Sequence, residues 1–306
     1  MMPDLFLHIG TEKTGSTAIQ RFLVEQHEAL TQLNVHVPQC LGHAEHWLFP
    51  LLFYADDQHD DLTERAGFQR FSPVQRRAAL GELQAALDHE LKSTTAKTWI
   101  ISSEHIHSRL LFRDGGMEAL VAFLRERFHR VQVIVYLREP LDAALSLWST
   151  AVRNGAPLFV LPLPQPGYWH HLCDHCSTVK RLERWFPGAF LLRLYLPSEW
   201  KYCDVVSDFI EALGLPQYLF QPADAPRVNR SLSWLALHML ARLNARVKPS
   251  RQHVAAICEA FDRYPPPRAT REQKLQYDSA FHESNDWVCR KYFPERSQLF
   301  PSNGGD

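Results

Sequence analysis

The sequence predicts an α/β fold in which helices flank a central parallel β-sheet. Short apolar segments typical of strands alternate, through the first two thirds of the chain, with segments whose apolar residues recur at helical spacing. The segment VQVIVYL, at residues 131 to 137, is a nearly unbroken apolar run of the kind that is buried on both faces of a parallel sheet. This alternation favours parallel strands joined by crossover helices.

Five strands are expected in the first 200 residues. They are LFLHI (5–9), a short strand in NVHVP (34–38), WIISS (99–103), VQVIVYL (131–137) and AFLLRLYL (189–196). Helical patterns begin at Ser16 and recur at about 73–92, 117–128, 140–154 and 177–186. The remainder is mostly helical, at 203–214, 231–246, 250–263 and 270–291. We therefore predict one domain over 1–306, with an α/β core at 1–200 and a mainly helical C-terminal part at 201–300.

Composition excludes several classes of protein. The 306 residues are 45% apolar and 22% charged, as in ordinary globular proteins. Lys and Arg number 33 against 34 Asp and Glu, so no global field attracts nucleic acid or an anionic membrane. No apolar stretch is long enough for a transmembrane helix. The N-terminal MMPDLFLHIG lacks the features of a signal peptide, and we expect a cytoplasmic protein with reduced cysteines.

The stretch HHLCDHC, at residues 170 to 176, contains five side chains that could bind zinc. A structural zinc site normally takes its ligands from two separated pairs, and the sequence has no second CxxC or HxxxH. We therefore favour a histidine-rich loop or helix face near the acceptor pocket, with a metal site as the minor alternative.

The stretch HIGTEKTGST, at residues 8 to 17, has the glycine spacing of a phosphate-binding loop. Gly10 and Gly15 match GxxxxGK[ST], but the lysine lies inside the loop, at Lys13. The loop joins a predicted strand to a helix N-terminus, where backbone N–H groups and the helix dipole favour an anion. We predict that a phosphate binds here, with contacts drawn from Lys13 and from the end of the loop (Thr14, Gly15, Ser16 and Thr17).

A second cationic position follows the strand at 131–137. Arg138 comes directly after that strand, Pro140 suits the first helical position, and Ser146 lies two turns into the helix. Ligands of open α/β sheets bind at the carboxyl ends of strands, so Arg138 and Lys13 are expected on the same rim. Two separated cations suit a ligand with phosphates at both ends.

Two motifs carry a resemblance to a known family. IGTEKTGSTAIQ resembles the 5′-phosphosulfate loop of sulfotransferases that use 3′-phosphoadenosine 5′-phosphosulfate (PAPS). YLREPLDAALSLW is similar to their 3′-phosphate motif, in which an Arg and a Ser eight residues later hold the 3′-phosphate. RVNRSLSWLALHML (227–240) and FHESNDWVCRKYF (281–293) resemble the C-terminal part of bacterial members. The resemblance implies a P-loop-like fold, PAPS as donor, adenosine 3′,5′-bisphosphate as product, and no metal.

Sulfuryl transfer explains the position of the lysine. A sulfuryl group carries one negative charge less than a phosphoryl group and can be moved without Mg²⁺. Lys13 can then face the bridging oxygen, where charge develops as the sulfuryl group leaves. The segment WIISSEHIHS supplies candidate bases for the acceptor hydroxyl, namely Glu104, His105 and His107. The resemblance to carbohydrate sulfotransferases, which use a Glu as base, favours Glu104. Because cytosolic relatives use a His instead, His107 and His105 remain candidates.

The expected partners are the nucleotide donor and a hydroxyl-bearing acceptor, a glycan or glycolipid precursor, with no nucleic acid. CLGHAEHWLF (40–49) and GYWHHL (167–172) could line the acceptor side or could be ordinary packing. The main alternative is a P-loop kinase of a small metabolite, with Glu104 as a metal-coordinating acid. A nucleotide-binding module without catalysis is a third reading.

Overall fold

The computed structural model describes residues 2–43, 45–113, 115–200, 204–219, 231–247 and 249–301. At its centre is a five-stranded sheet in the order β2-β3-β1-β4-β5, and every neighbouring pair is parallel. The strands are β1 (Asp4–His8), β2 (Val35–His36), β3 (Thr98–Ser102), β4 (Val131–Leu137) and β5 (Phe190–Leu194). The predicted α/β class with a central parallel sheet is confirmed.

Helices connect and follow these strands. The α-helices are α1 (Ser16–Glu25), α2 (His27–Gln32), α3 (Asp61–Arg65), α4 (Pro73–Ser93), α5 (Met117–Arg127), α6 (Pro140–Arg153), α7 (Tyr168–Cys173), α8 (His175–Trp185), α9 (Val205–Ala212), α10 (Trp234–Asn244), α11 (Arg251–Ala260) and α12 (Arg271–Tyr292). A π-helix spans Ile106–Leu111, and short 3₁₀ turns span Phe49–Phe53, Phe68–Arg70, Pro197–Glu199 and Gln217–Leu219. Among the helices of the described residues, none is both long and apolar enough to cross a bilayer.

Helix starts follow local sequence. At α4, the Ser72 hydroxyl accepts from the N–H of Gln75, the Gln75 side chain accepts from the N–H of Ser72, and Pro73 takes the first helical position. Thr270 and Gln273 form the same reciprocal capping box at α12. These caps satisfy N–H groups that have no partner within the helix.

The described residues form two compact units. The first contains those of Met1–Leu137 and Val179–Asp224, which include the whole sheet, and the second contains those of Arg138–Thr178 and Ala225–Asp306. This boundary differs from the expected division at residue 200, because 138–178 pack with the C-terminal helices. That the whole chain is a single domain stays a prediction.

In the first unit, one face of the sheet is covered by α1, α2 and α9. Ile134 and Tyr136 of β4 pack there with Ile19 and Leu23 of α1 and with Phe209 of α9. Leu7 lies in register with Ile101 of β3 and Val133 of β4, and all three are fully buried. Apolar positions on both faces explain why the strands read as continuous apolar runs.

In the second unit, α6 is the central helix of the core. Trp148 and Val152 of α6 pack with Leu237 of α10 and with Tyr277 and Phe281 of α12. Two of the polar groups at this core are paired with backbone. The Tyr277 hydroxyl donates to the carbonyl of Pro162 at 2.6 Å, and the Ser149 hydroxyl accepts from the N–H of Leu232 at 2.7 Å.

Candidate active site

The loop between β1 and α1 has the backbone of an anion cradle. Three of its residues have positive φ, namely Gly10 at 41°, Lys13 at 70° and Gly15 at 83°. Left-handed residues among right-handed ones turn successive N–H groups toward a common point, which forms a concavity suited to an anion. A lysine in this conformation is uncommon, and such conformations concentrate at functional sites.

Two buried threonines hold the loop in place. The Thr11 hydroxyl donates to the carbonyl of Tyr136, at 2.8 Å, near the end of β4. The Thr14 hydroxyl donates to the carbonyl of Thr11, so its proton is used within the loop. The role predicted for Thr14 therefore fits its backbone N–H and does not fit its hydroxyl as a donor.

Helix α1 begins at the end of this loop. Gly15 is the N-cap, and its carbonyl accepts from the N–H groups of Ala18 and Ile19. The first turn consists of neutral side chains, with Ser16 buried and Thr17 exposed. The positive end of the helix dipole is thus directed at the loop without a carboxylate of that turn to neutralise it.

The loop is packed closely at Gly15. A Cβ atom there would lie 2.9 Å from Cγ1 of Val205 and 3.2 Å from Cε2 of Tyr195. Tyr195 follows β5 and Val205 begins α9, so two distant segments form a wall against the loop. Sequence reasoning did not find either residue, and no local motif marks them.

An ionic network fixes α9 at this wall. Asp208 of α9 accepts a hydrogen bond from the Tyr136 hydroxyl at 2.6 Å and is bound by both Nε and Nη2 of Arg193. The Asp208 carboxylate lies among buried atoms, where pairing offsets the cost of burying its charge. The network joins β4, β5 and α9 beside the loop between β1 and α1.

Glu104 lies beside the loop, as predicted. The N–H of Ser103 donates to the carbonyl of His8 at 2.9 Å, which continues the β1–β3 pairing one residue beyond the strand. A Cβ atom on Gly10 would consequently lie 3.5 Å from Cβ of Glu104. The neighbouring carboxyl ends of two parallel strands bring these residues together.

Burial raises the pKa of the Glu104 carboxyl. Glu12 adds to the rise, while a charged His105, the hydrogen bond from Gln20 and the nearby Ser16 hydroxyl oppose it, and the net direction is upward. The Gln20 amide donates to Oε2 of Glu104 at 3.0 Å. A carboxyl with a raised pKa is a stronger base than an ordinary one, as general-base catalysis requires.

The two candidate histidines differ in position. His105 precedes the π-helix and lies close enough to Glu104 that its positive form lowers the pKa of that carboxyl. His107 is inside the π-helix and fully buried, whereas Glu104 and His105 retain some exposure. The structure therefore brings Glu104 and His105 together and leaves His107 in the interior.

Glu12 of the loop takes part in a charge network that sequence reasoning missed. Arg109 of the π-helix lies 3.9 Å from the Glu12 carboxylate, 3.6 Å from Asp60 and 2.8 Å from Asp61. The hydroxyl of Tyr54 donates to the Asp60 carboxylate at 2.9 Å. Arg109 thus offsets the negative charge next to Lys13.

The ends of β1 and β3 are lined by neutral histidines. His8 is hydrogen-bonded to the hydroxyl of Ser102 at 2.8 Å, and burial lowers its pKa to about 3. Nδ1 of His46 accepts from the N–H of Ser102 at 2.9 Å, and burial lowers its pKa to about 4. His46 lies in CLGHAEHWLF, where Ala44 is outside the described residues. Its ring nitrogen supports β3.

Arg138 and Ser146 belong to the second unit. Arg138 follows the last residue of β4, and Glu139 caps α6 by accepting from the N–H groups of Leu141 (3.1 Å) and Asp142 (2.7 Å). Ser146 lies in the second turn of α6. The local geometry agrees with the predicted strand, turn and helix, and the joint use of Arg138 and Lys13 stays a prediction.

The HHLCDHC stretch covers the end of α7, Asp174 and the start of α8. Two of its side chains hydrogen-bond to backbone carbonyl groups. The Cys173 thiol donates to the carbonyl of Pro140 at 3.3 Å, and Nε2 of His175 is bound to the carbonyl of Arg138 at 2.8 Å. Among the described residues, no group of three or more His, Cys, Asp or Glu is arranged to hold a metal ion.

A cavity of about 380 Å³ lies along residues 162 to 169 of the second unit. Its lining includes Tyr168 and Trp169 of the GYWHHL stretch and Leu163, which is 46% exposed.

The segment RVNRSLSWLALHML is described only from Ser231 onward, and its first four residues lie outside the described residues. Leu232 and residues of α10 belong to the core of the second unit.

The sequence matches no family model, and no relative was found among curated proteins. Solved structures give weak overall similarities. A sulfotransferase from Alicyclobacillus acidocaldarius has a TM-score of 0.45 at 16% identity, over 90% of this chain and 99% of that chain. The sulfotransferase domain from the curacin biosynthetic pathway has a TM-score of 0.40 at 11% identity, over 92% and 98%. A protein of the PezAT toxin–antitoxin system of Streptococcus pneumoniae has a TM-score of 0.32 at 16% identity, over 83% of this chain and 87% of that chain. Similarities this weak say nothing about the activity of this chain.

Proposed function

We propose that the chain is a sulfotransferase that transfers the sulfuryl group of PAPS to an acceptor hydroxyl. One observation carries the proposal. A glycine loop with three positive-φ residues leads into α1, contains its own lysine, and lies beside Glu104, a carboxyl whose pKa is raised. The combination provides an anion cradle, a cation inside it and a base next to it.

Each part of the loop has a role in this proposal. The backbone N–H groups of Thr14, Gly15, Ser16 and Thr17 bind the 5′-phosphate, with the dipole of α1 behind them. Lys13 approaches the oxygen that bridges phosphate and sulfur. Because charge develops on that oxygen mainly in the transition state, Lys13 stabilises the transition state more than the bound donor.

Glu104 is proposed as the general base. The acceptor oxygen forms a bond to sulfur while the bond from sulfur to the bridging oxygen breaks, and the electron pair of the broken bond remains on the 5′-phosphate. The acceptor proton passes to the Glu104 carboxylate. Gln20 orients this carboxylate through its hydrogen bond to Oε2. His105 is the alternative base, since it neighbours Glu104.

Arg138 and Ser146 are proposed to bind the 3′-phosphate. Support comes from the motif resemblance and from the position of Arg138 directly after β4, at the carboxyl end of a central strand. An Arg–phosphate contact can be bidentate, so Arg138 is expected to contribute most of the affinity at this end. The acceptor we propose is a glycan or glycolipid precursor made in the cytoplasm, by analogy with sulfotransferases that use a Glu base.

Calorimetry with adenosine 3′,5′-bisphosphate and with ATP tests the donor site. We expect binding of the bisphosphate, a large loss of affinity in Arg138→Ala, and a smaller loss in Ser146→Ala. Arg268→Ala is the matched control, because it removes an exposed arginine from a loop outside the motif. Equal affinity for ATP, or unchanged affinity in Arg138→Ala, would overturn the assignment and favour the kinase. Incubation with labelled PAPS and panels of glycans, lipids and phenols then identifies the acceptor.

A further inference from the structure

The turn after β4 is held by side chains from HHLCDHC. Arg138, Glu139 and Pro140 form this turn between the strand and α6. His175 hydrogen-bonds to the carbonyl of Arg138 at 2.8 Å, and Cys173 donates to the carbonyl of Pro140 at 3.3 Å. Two residues that were candidates for metal binding thus fix two carbonyl groups on either side of Glu139.

The protonation states of both donors follow from burial. His175 is 1% exposed, and burial lowers its pKa to about 4, so the ring is neutral at neutral pH. A carbonyl can only accept, which fixes the single ring proton on Nε2. Cys173 is fully buried, and burial raises the pKa of its thiol, which therefore keeps its proton.

The segment that carries these donors is itself anchored. The Asp174 carboxylate accepts from the N–H of Ser177 at 3.1 Å and from the hydroxyl of Ser284 at 2.8 Å. The same hydroxyl accepts from the N–H of Cys176 at 2.8 Å. The junction of α7 and α8 is thereby tied to α12, and the ring of Phe300 packs 5.6 Å from that of His175. The donor ring has little freedom to move away from the Arg138 carbonyl.

We propose that His175 is a positioning residue for Arg138, and that HHLCDHC clamps the backbone of the Arg138–Pro140 turn so that the guanidinium meets the 3′-phosphate of the nucleotide. This inference rests on the proposed function. The direction of an arginine side chain depends on the backbone dihedrals of its own residue, which the hydrogen bond to the carbonyl restrains. One neutral hydrogen bond contributes about 1 kcal/mol, which corresponds to an effect of about fivefold on affinity.

The test compares His175→Gln with His175→Asn. The amide nitrogen of Gln reaches about the position of Nε2, whereas that of Asn ends near Nδ1, so only Gln preserves the donor. We expect His175→Asn to weaken binding of adenosine 3′,5′-bisphosphate about fivefold while leaving the affinity for adenosine 5′-phosphate unchanged. His175→Gln should restore the wild-type ratio of the two affinities. Equal weakening of both nucleotides in the two variants, or an unchanged ratio in His175→Asn, would overturn the proposal.

Two further variants separate this inference from the proposed function. Arg138→Ala should abolish the preference for the bisphosphate. If it does so while His175→Asn keeps the preference, the role of His175 is wrong and the nucleotide site stands. If the wild-type protein itself shows no preference, both proposals fail. Should His175→Asn not fold, Cys173→Ala removes only a thiol and should lower the same ratio about twofold, because a thiol is the weaker donor. An unchanged ratio there would count against the clamp.

Discussion

Substitution of Gly15 by alanine should disrupt the loop between β1 and α1. Its φ of 83° is left-handed, which costs about 1–2 kcal/mol for a residue with a Cβ atom. That atom would lie 2.9 Å from Cγ1 of Val205 and 3.2 Å from Cε2 of Tyr195, closer than side chains pack. Overpacking of this kind costs about 1–3 kcal/mol. Together the two effects predict a loss of about 2–5 kcal/mol in the free energy of unfolding.

Urea denaturation of Gly15→Ala and Gly81→Ala measures this effect against a matched control. Gly81 lies on the exposed side of α4, and apart from the neighbouring backbone of α4 itself a Cβ atom at this position would have no atom within 4 Å. Alanine there should therefore stabilise the protein by about 0.5–1 kcal/mol. In the Val205→Ala background, Gly15→Ala should cost less, because the clash is relieved and the backbone strain remains. The reasoning would be refuted if Gly15→Ala were as stable as wild type, or if Val205→Ala left its cost unchanged.

Three further outcomes are expected. Lys13→Ala should lower kcat by about 10²-fold or more with a smaller change in donor affinity, and equal losses in rate and affinity would make Lys13 a simple anchor. In single-turnover kinetics with excess chelator, the wild-type protein should still transfer the sulfuryl group without metal. Glu104→Gln should bind the donor and lose about 10²- to 10⁴-fold in rate. Because the pKa of Glu104 is raised, the acid limb of the wild-type pH–rate profile should lie above the ordinary carboxyl range. Near-normal turnover of Glu104→Gln, together with an inactive His105→Ala, would assign the role of base to the histidine. The pKa of His175 is lowered from 6.5 to about 4, so the unfolded chain binds the proton first and stability falls as pH decreases through this window. As the pH falls from 6.5 to about 4, the free energy of unfolding of His175→Gln, measured by urea denaturation, should therefore decrease by about 1.4 kcal/mol less per pH unit than that of wild type. Parallel decreases in the two proteins would contradict this.

The strands were readable from sequence because they are buried. LFLHI, WIISS and VQVIVYL are apolar on both sides, and the structure has β1, β3 and β4 within one residue of them. The helical pattern that begins at Ser16 is divided in the structure, where α1 ends at Glu25 and α2 begins at His27. Gln26, the break, is neither glycine nor proline, so no local signal marks it.

The site divides into parts that sequence could and could not predict. Glu104 was predicted to lie near the loop because each follows a strand end, and adjacent parallel strands end on one edge of a sheet. Gln20, Arg109 and Val205 were missed. Each contacts the loop or its base through the rotation of a helix or the approach of a distant segment, which residue periodicity does not specify. The sequence could have indicated that Glu12 needs a cation nearby, but it does not show that this cation is Arg109.

In the proposed mechanism, Lys13 and Glu104 act on each other through the charge of the donor. An anionic donor bound in the loop lies close to the Glu104 carboxylate and disfavours its charged form, the form that a base requires. Burial and the charge of Glu12 already act in the same direction. Lys13 reduces the negative charge of the donor, and Arg109 reduces that of Glu12 at 3.9 Å. A loop that carries its own lysine can therefore stabilise the leaving oxygen and, at the same time, keep the neighbouring carboxylate ionised and able to accept a proton.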